Sequence, residues 1–168
     1  MSFAVLLLAF VTLQRLGELV VARRNTRRLL AAGAREAAPE HYPAIVTLHA
    51  AWLAGLWWLG WNNPVDPLWL LAYAGLQILR GWTLASLGPR WTTRILVVPG
   101  ESLVRRGPYR FVPHPNYLVV VGEIAVLPLA LGLELYAVVF SLLNAAVLFV
   151  RIRAENRALQ AAGEKPPS

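Results

Sequence analysis

The stretch Ser2–Ala22, SFAVLLLAFVTLQRLGELVVA, decides the fold class, because almost all of its residues are apolar. A helix that crosses a membrane needs about 20 such residues. Similar stretches follow at Pro43–Trp61 and Pro67–Gly88. Tyr117–Val150 is too long for one crossing and is interrupted around Gly132–Glu134, so it indicates a hairpin of two short crossings. The sequence therefore predicts an all-α integral membrane protein of about five transmembrane helices.

The composition of the whole chain agrees with this class. Only 15% of the 168 residues are charged and 57% are hydrophobic, whereas about a quarter of the residues in a soluble domain are charged. The length indicates a single domain. The absence of cysteine excludes thiol catalysis, disulfides and thiolate metal sites. The net charge is +7, and most of the basic residues lie between apolar stretches. We therefore expect contact with membrane lipids and not with nucleic acid.

The basic residues alternate from one connection to the next. Residues 23–42, residues 89–116 and the tail after Val150 are rich in arginine, whereas Asn62–Asp66 and Gly132–Glu134 contain no basic residue. The positive-inside rule then places both long connections and the C-terminus in the cytoplasm, and the N-terminus outside. The tryptophans are expected to form a belt at the outer interface; they are Trp57, Trp58, Trp61 and Trp69.

Five ionisable residues lie within the apolar stretches, all toward their inner ends: Arg15, Glu18, His49, Arg80 and Glu123. A charge inside the membrane is costly unless it is paired or lines a wet cavity. One interpretation pairs Arg15 with Glu18 within one helix turn and lets Arg80 reach the interface. Glu123 and His49 are predicted to have no partner within their own helices, which favours a shared polar cavity open to the cytoplasm.

Residues 101–117, ESLVRRGPYRFVPHPNY, carry the most distinctive pattern in the chain. Gly107–Pro108 indicates a turn, and Pro113 and Pro115 prevent a helix between them. His114 is therefore expected on a stiff, non-helical segment at the membrane surface.

The last predicted helix ends in Arg151-Ile-Arg-Ala-Glu155, where residues four apart share one helix face. The order Leu-Val, Gly-x-Tyr, His-Pro-x-Tyr, an apolar hairpin and Arg-Ile-x-x-Glu resembles the isoprenylcysteine carboxyl methyltransferase family, whose members are membrane enzymes that use S-adenosylmethionine. The resemblance covers about residues 88–159. The N-terminal half, including Gln14–Leu19 and His41–Pro43, is similar to a bacterial branch associated with O-methylation of long-chain alkylpyrones, which implies the bacterial plasma membrane.

The resemblance implies one domain over 1–168, with N-terminal helices over 2–88 and a cofactor-binding segment over 89–159. It implies that the cofactor lies in a cytoplasmic pocket between this segment and the last helix, and that Arg151 contacts the anionic group of the acceptor, or Arg153 if the register shifts. The chain departs from the family at Pro113, often Arg, and at Asn156, often a second Glu. The implied cofactor contacts are Arg94, Glu101, Ser102, Leu103, Val104, Tyr109, His114, Pro115, Asn116, Tyr117 and Glu155.

The chemistry that the resemblance implies needs few reactive groups. Methyl transfer from a sulfonium to an anionic oxygen depends on alignment and exclusion of water. A carboxylate acceptor needs no base, whereas an enol or phenol would benefit from one, for which Glu123 and His49 are the candidates. The three histidines lie in separate segments without ligand spacing, so no metal is expected.

The sequence thus predicts an S-adenosylmethionine-dependent O-methyltransferase acting on a lipophilic prenyl or long-alkyl acceptor. Two alternatives remain open. Membrane reductases related to sterol reductases share a His-Pro-x-Tyr loop before a terminal hairpin and bind NADPH. A non-catalytic membrane scaffold would leave the polar residues of one leaflet without a role.

Overall fold

The computed structural model describes residues 2–98 and 104–161, and most of them are helical. Two short strands, β1 (Arg35–Glu36) and β2 (Leu96–Val97), pair antiparallel and join the two arginine-rich connections. The helices are α1 (Phe3–Ala31), α2 (Tyr42–Gly60), α3 (Pro67–Leu87), α4 (Pro115–Ala130) and α5 (Glu134–Ala161). Short 3-10 turns lie at Pro39–His41, Gly88–Arg90 and Gly107–Arg110.

Local capping explains where several helices begin. The Ser2 hydroxyl accepts a hydrogen bond from the backbone N–H of Val5, and the Asp66 carboxylate accepts from two backbone N–H groups of α3. Proline occupies the first position of α3 and α4, where no backbone N–H is needed. Gly132, with φ of 67°, lies between α4 and α5, so the predicted break in the hairpin is confirmed.

Two helices are longer than the predicted crossings. α1 continues past Ala22 to Ala31, and α5 continues past Val150 to Ala161. Residues 23–31, expected in a connection, are therefore helical. Arginine and leucine are good helix formers, so a helix continues after its apolar stretch until a breaker such as Gly33.

Three helical segments of the described chain are long and apolar enough to cross a membrane: Phe3–Ala31, Pro39–Gly60 and Glu134–Gln160. α4 has 16 residues, roughly 24 Å of helix, and α3 is not among the three. The fold is thus all-helical, as expected of an integral membrane α protein. Five crossings remain a prediction.

The core lies between α1, α2 and α4, with α3 packed extensively against α4. Leu8, Trp52, Leu56, Ile124 and Leu127 are buried there. By contrast, the outer faces of the helices expose many large apolar side chains. This arrangement suits a protein whose outer helix faces contact lipid.

Candidate active site and buried polar network

The start of α4 forms the centre of the candidate site. His114 precedes the helix with φ of −130° and ψ of 65°, so it is non-helical as expected. Its backbone carbonyl accepts from the N–H groups of Tyr117 and Leu118. Its ring stacks on the Tyr117 ring, with 5.1 Å between ring centroids. The proline-flanked segment therefore presents two stacked rings at the beginning of α4.

The Tyr117 hydroxyl links α4 to α5. It donates a hydrogen bond to Oε2 of Glu155 and accepts one from Nε of Arg151 at 2.9 Å. Nη2 of Arg151 donates to the backbone carbonyl of Thr93 at 2.8 Å. The face that Arg151 and Glu155 share thus contacts α4, and three predicted site residues meet at one hydroxyl.

Tyr109 lies close enough to the Glu155 carboxylate for its hydroxyl to interact electrostatically with it. Burial raises the pKa of the Tyr109 hydroxyl above its ordinary value, and the negative charge of Glu155 raises it further. Tyr109 therefore remains a neutral hydrogen-bonding group at ordinary pH.

The other predicted cofactor contacts do not all lie beside Tyr117, Arg151 and Glu155. Arg94 donates to both carboxylate oxygens of Glu36, at 2.6 and 2.8 Å, and lies over the Tyr42 ring. It is therefore engaged with β1 and α2. Pro115 is buried, and Val104 and Asn116 are half-buried. Glu101, Ser102 and Leu103 lie outside the described residues. The fallback residue Arg153 lies over the Phe149 ring instead.

Asn156 tests whether these residues suit S-adenosylmethionine. Its Oδ1 atom is buried and has no hydrogen-bond partner among the described residues. A buried acceptor without a donor is costly. The amine, ribose and adenine groups of the cofactor offer such donors, and the neighbouring Glu155 carboxylate accepts from the same kinds of group. The residues present therefore fit the cofactor, although Asn replaces the second Glu.

A second polar cluster lies within the helices, and we name it the buried polar network. Arg80 donates from Nη1 to Oε2 of Glu123 at 2.7 Å, and from Nε and Nη2 to the Glu18 carboxylate. Arg15 donates from Nη2 to the same Glu123 oxygen at 2.6 Å and from Nη1 to Glu18 at 3.3 Å. Two arginines and two glutamates from α1, α3 and α4 thus neutralise one another.

Two glutamines complete the buried polar network, and the sequence analysis missed them. Gln77 donates to Oε1 of Glu123 at 2.6 Å, and Gln14 donates to Oε1 of Gln77 at 2.7 Å. Gln14 also donates to Glu18 at 3.1 Å. The spacing of Gln77 could have predicted its place in the network. It is three residues before Arg80 and so lies on the same face of α3.

These contacts correct two predictions. The pair between Arg15 and Glu18 exists, but Arg80 is only 5% exposed and does not reach the interface. A shared cavity beside these paired charges, open to the cytoplasm, stays a prediction. His49 does have a partner in its own helix, because its Nδ1 lies 2.9 Å from the Ile45 carbonyl oxygen. Each group is satisfied locally because an unpaired charge inside a membrane protein is costly.

Glu123 and His49 were the candidates for a general base. Both oxygens of Glu123 already accept from charged or amide donors. Glu123 also lies six residues after Tyr117, roughly 9 Å along α4. This geometry favours a charge-pairing role for Glu123, and a catalytic role for either residue stays a prediction.

Comparison with known proteins gives the family. Residues 69–161, more than half of the chain, match the model of the isoprenylcysteine carboxyl methyltransferase family. The chain is also 41% identical to the uncharacterized protein YpbQ of Bacillus subtilis (strain 168), over 92% of this chain and 95% of that protein. No solved structure matches. The matched region contains His114, Tyr117, Arg151 and Glu155. The chain belongs to the isoprenylcysteine carboxyl methyltransferase family.

Proposed function

We propose that this protein is an S-adenosylmethionine-dependent O-methyltransferase embedded in a bacterial plasma membrane. Its acceptor is a lipophilic molecule with a prenyl or long alkyl chain, methylated on a carboxylate or on an enol or phenol hydroxyl. The observation that carries the proposal is the contact of Tyr117 with Arg151 and Glu155 within the region that matches the family.

The residues around Glu155 would hold the cofactor, which supplies a methyl group on a sulfonium when bound. Glu155 has a second carboxylate oxygen that can accept from an amine or hydroxyl donor. Asn156 contributes the unpartnered buried oxygen. The stacked rings of His114 and Tyr117 offer a flat apolar surface. Together these groups would bind and orient a polar molecule with an aromatic base.

Arg151 would orient the acceptor. Its Nε and Nη2 atoms are held by Tyr117 and by the Thr93 carbonyl. Its Nη1 group makes no hydrogen bond to the described residues, so it is left to donate to an anionic oxygen. A charge-assisted hydrogen bond of this kind is stronger and shorter than a neutral one. The arginine would thus bring the acceptor oxygen toward the cofactor without acting as a base.

The membrane location suits two substrates of different solubility. With five crossings and a cytoplasmic C-terminus, the end of α5 would face the cytoplasm, from which a water-soluble cofactor enters. A lipophilic acceptor would enter sideways from the bilayer. Both routes meet near residues 151–155, where water can be excluded from the reaction.

Cofactor binding tests the proposal. We expect purified protein to bind S-adenosylhomocysteine, and Tyr117→Phe to weaken that binding by about 1–3 kcal/mol, because the hydroxyl between Arg151 and Glu155 is lost. The matched control is Tyr136→Phe. The Tyr136 hydroxyl, at the other end of α5 from Arg151 and Glu155, donates to the Trp52 carbonyl. The cofactor affinity of this variant should stay at the wild-type value. Binding of NADPH in place of S-adenosylhomocysteine would favour a reductase, and binding of neither would favour a scaffold.

A further inference from the structure

A pocket of about 220 Å³ lies at the C-terminal end of α1 and adjoins the candidate site at Thr93, whose carbonyl accepts from Arg151. It is bounded by α1, by β1, by the beginning of α2 and by Thr93 and Arg94, which precede β2. We call it the arginine pocket. Its polar lining consists of Arg23, Thr26, Arg27, Glu36, Tyr42, Thr93 and Arg94.

The arginine pocket carries positive charge that the described part of the chain does not neutralise. Arg94 is paired with Glu36. Arg23 and Arg27 make no ion pair or hydrogen bond with their side chains anywhere in 2–98 or 104–161. They are four residues apart on α1, so their charges face the same side and repel each other. An anion between them would relieve this repulsion.

The depth of the arginine pocket points to the kind of anion. Arg23 is twenty residues after Phe3, or roughly 30 Å along the helix, which is the thickness of the hydrocarbon core. Val20 and Val21, just before it, are well exposed, as lipid-facing residues would be. Arg27 lies one turn further, roughly 6 Å into the headgroup region. The pocket therefore lies at the level of lipid headgroups.

We propose that the arginine pocket binds the headgroup of an anionic membrane phospholipid. The phosphate lies between Arg23 and Arg27, with the Thr26 hydroxyl as a further donor. The pocket volume of about 220 Å³ is enough for a phosphate and part of a glycerol headgroup. The acyl chains run along the apolar surface of α1. The site does not depend on methyl transfer.

Native mass spectrometry in a neutral detergent tests this site, with phosphatidylglycerol and phosphatidylcholine as probes. We expect wild-type protein to retain phosphatidylglycerol preferentially. The double variant Arg23→Gln/Arg27→Gln should lose about tenfold or more of its affinity for it. The control Arg24→Gln/Arg28→Gln removes the same charge from the same helix outside the pocket, and should lose less than about twofold. If the double variant does not fold, the single variants Arg23→Gln and Arg27→Gln replace it, and each should lose about threefold in affinity for phosphatidylglycerol.

Several outcomes would overturn the proposal. Equal losses in the two double variants would mean diffuse attraction between the arginines and the lipid. Equal affinity for glycerol phosphate, which has no acyl chains, would make the ligand a soluble phosphate ester. A loss of S-adenosylhomocysteine affinity in Arg23→Gln/Arg27→Gln alone would assign the pocket to the cofactor. If wild-type protein binds no S-adenosylhomocysteine, the proposed function fails while the lipid measurement stands.

Discussion

At the scale of single residues, the candidate site depends on the Tyr117 hydroxyl. It holds Arg151 and Glu155 together, although the two are assigned to different ligands. Arg151 is also fixed by the Thr93 carbonyl, so its Nη1 group, which has no hydrogen-bond partner among the described residues, has a defined direction. A guanidinium held at two of its nitrogen atoms loses little further freedom on binding an anion.

Arg151→Ala should abolish methyl transfer while leaving S-adenosylhomocysteine affinity near the wild-type value, because in the proposed function the arginine orients only the acceptor. Arg151→Lys should rescue part of the activity, since it keeps the charge but not the planar fork. Glu155→Ala should lose both cofactor affinity and turnover. The measurement is transfer of labelled methyl groups to lipid-soluble material, with cofactor affinity and melting temperature on the same variants. Activity that falls only in proportion to stability would make Arg151 structural.

Gly107 gives a second prediction at this scale. Its φ is 59°, and a Cβ atom there would overlap the Ser86 side chain. Gly107→Ala should therefore cost about 1–2 kcal/mol of backbone strain and about 1–3 kcal/mol more from the overlap. The control is Gly132→Ala, with φ of 67° and open space around it. Thermal unfolding in detergent compares them, and equal losses would contradict the packing argument.

At the scale of elements, the buried polar network connects α1 to α3 and α4 through ion pairs. Four charges from three helices sum to zero, and Gln77 supports one of the carboxylates. Buried pairs add little net stability, but removing one member leaves a charge unpaired. We therefore expect the network to specify which helices meet more than it strengthens their contact.

A double-mutant cycle measures this role. Glu123→Leu alone should destabilise the protein by about 3–5 kcal/mol, because two arginines are left with one glutamate. The double variant Arg80→Met/Glu123→Leu keeps the neutral pair of Arg15 and Glu18 and should recover most of that loss. Unfolding in detergent micelles provides the free energies. A double variant whose loss equals the sum of the two single losses would show that the charges act independently.

At the scale of the whole molecule, contacts define two ends of the bundle. At one end the Ser2 hydroxyl donates to the Trp61 carbonyl and Asn63 donates to the Leu131 carbonyl. At the other end Asn25 donates to the Trp91 carbonyl and Arg151 to Thr93. The arginine-rich connections thus gather at the end that contains the candidate site. At the opposite end Trp57 donates to Thr12 and is part-buried, whereas Trp58, Trp61 and Trp69 are exposed; the tryptophan belt stays a prediction.

Cysteine labelling tests the orientation of these two ends, and the chain has no native cysteine to interfere. Asn62→Cys should react with a membrane-impermeant maleimide in intact cells. Ala32→Cys should react only after the membrane is opened, because positive connections stay in the cytoplasm. Reaction of Ala32→Cys in intact cells would reverse the orientation and move the candidate site to the outer side.

The sequence by itself determined the positions of the apolar helices but not the ends of α1 and α5, and it determined the break at Gly132, the clustering of basic connections and the family, because hydropathy, glycine and proline positions and short motifs are local properties. It also placed Arg151 and Glu155 on one face, since helix geometry fixes that spacing. Their joint contact with Tyr117 was not predictable, because it depends on how α4 packs against α5.

Only the tertiary structure decided how the buried charges are paired. Arg15 and Glu123 are 108 residues apart in the chain, and no local pattern distinguishes a paired arginine from one that reaches the interface. The same holds for Arg23 and Arg27, which form a pocket only because β1, α2 and the residues that precede β2 lie beside α1. Side chains from distant segments meet according to helix packing, which minimises unpaired charge and buries apolar surface over the whole molecule at once.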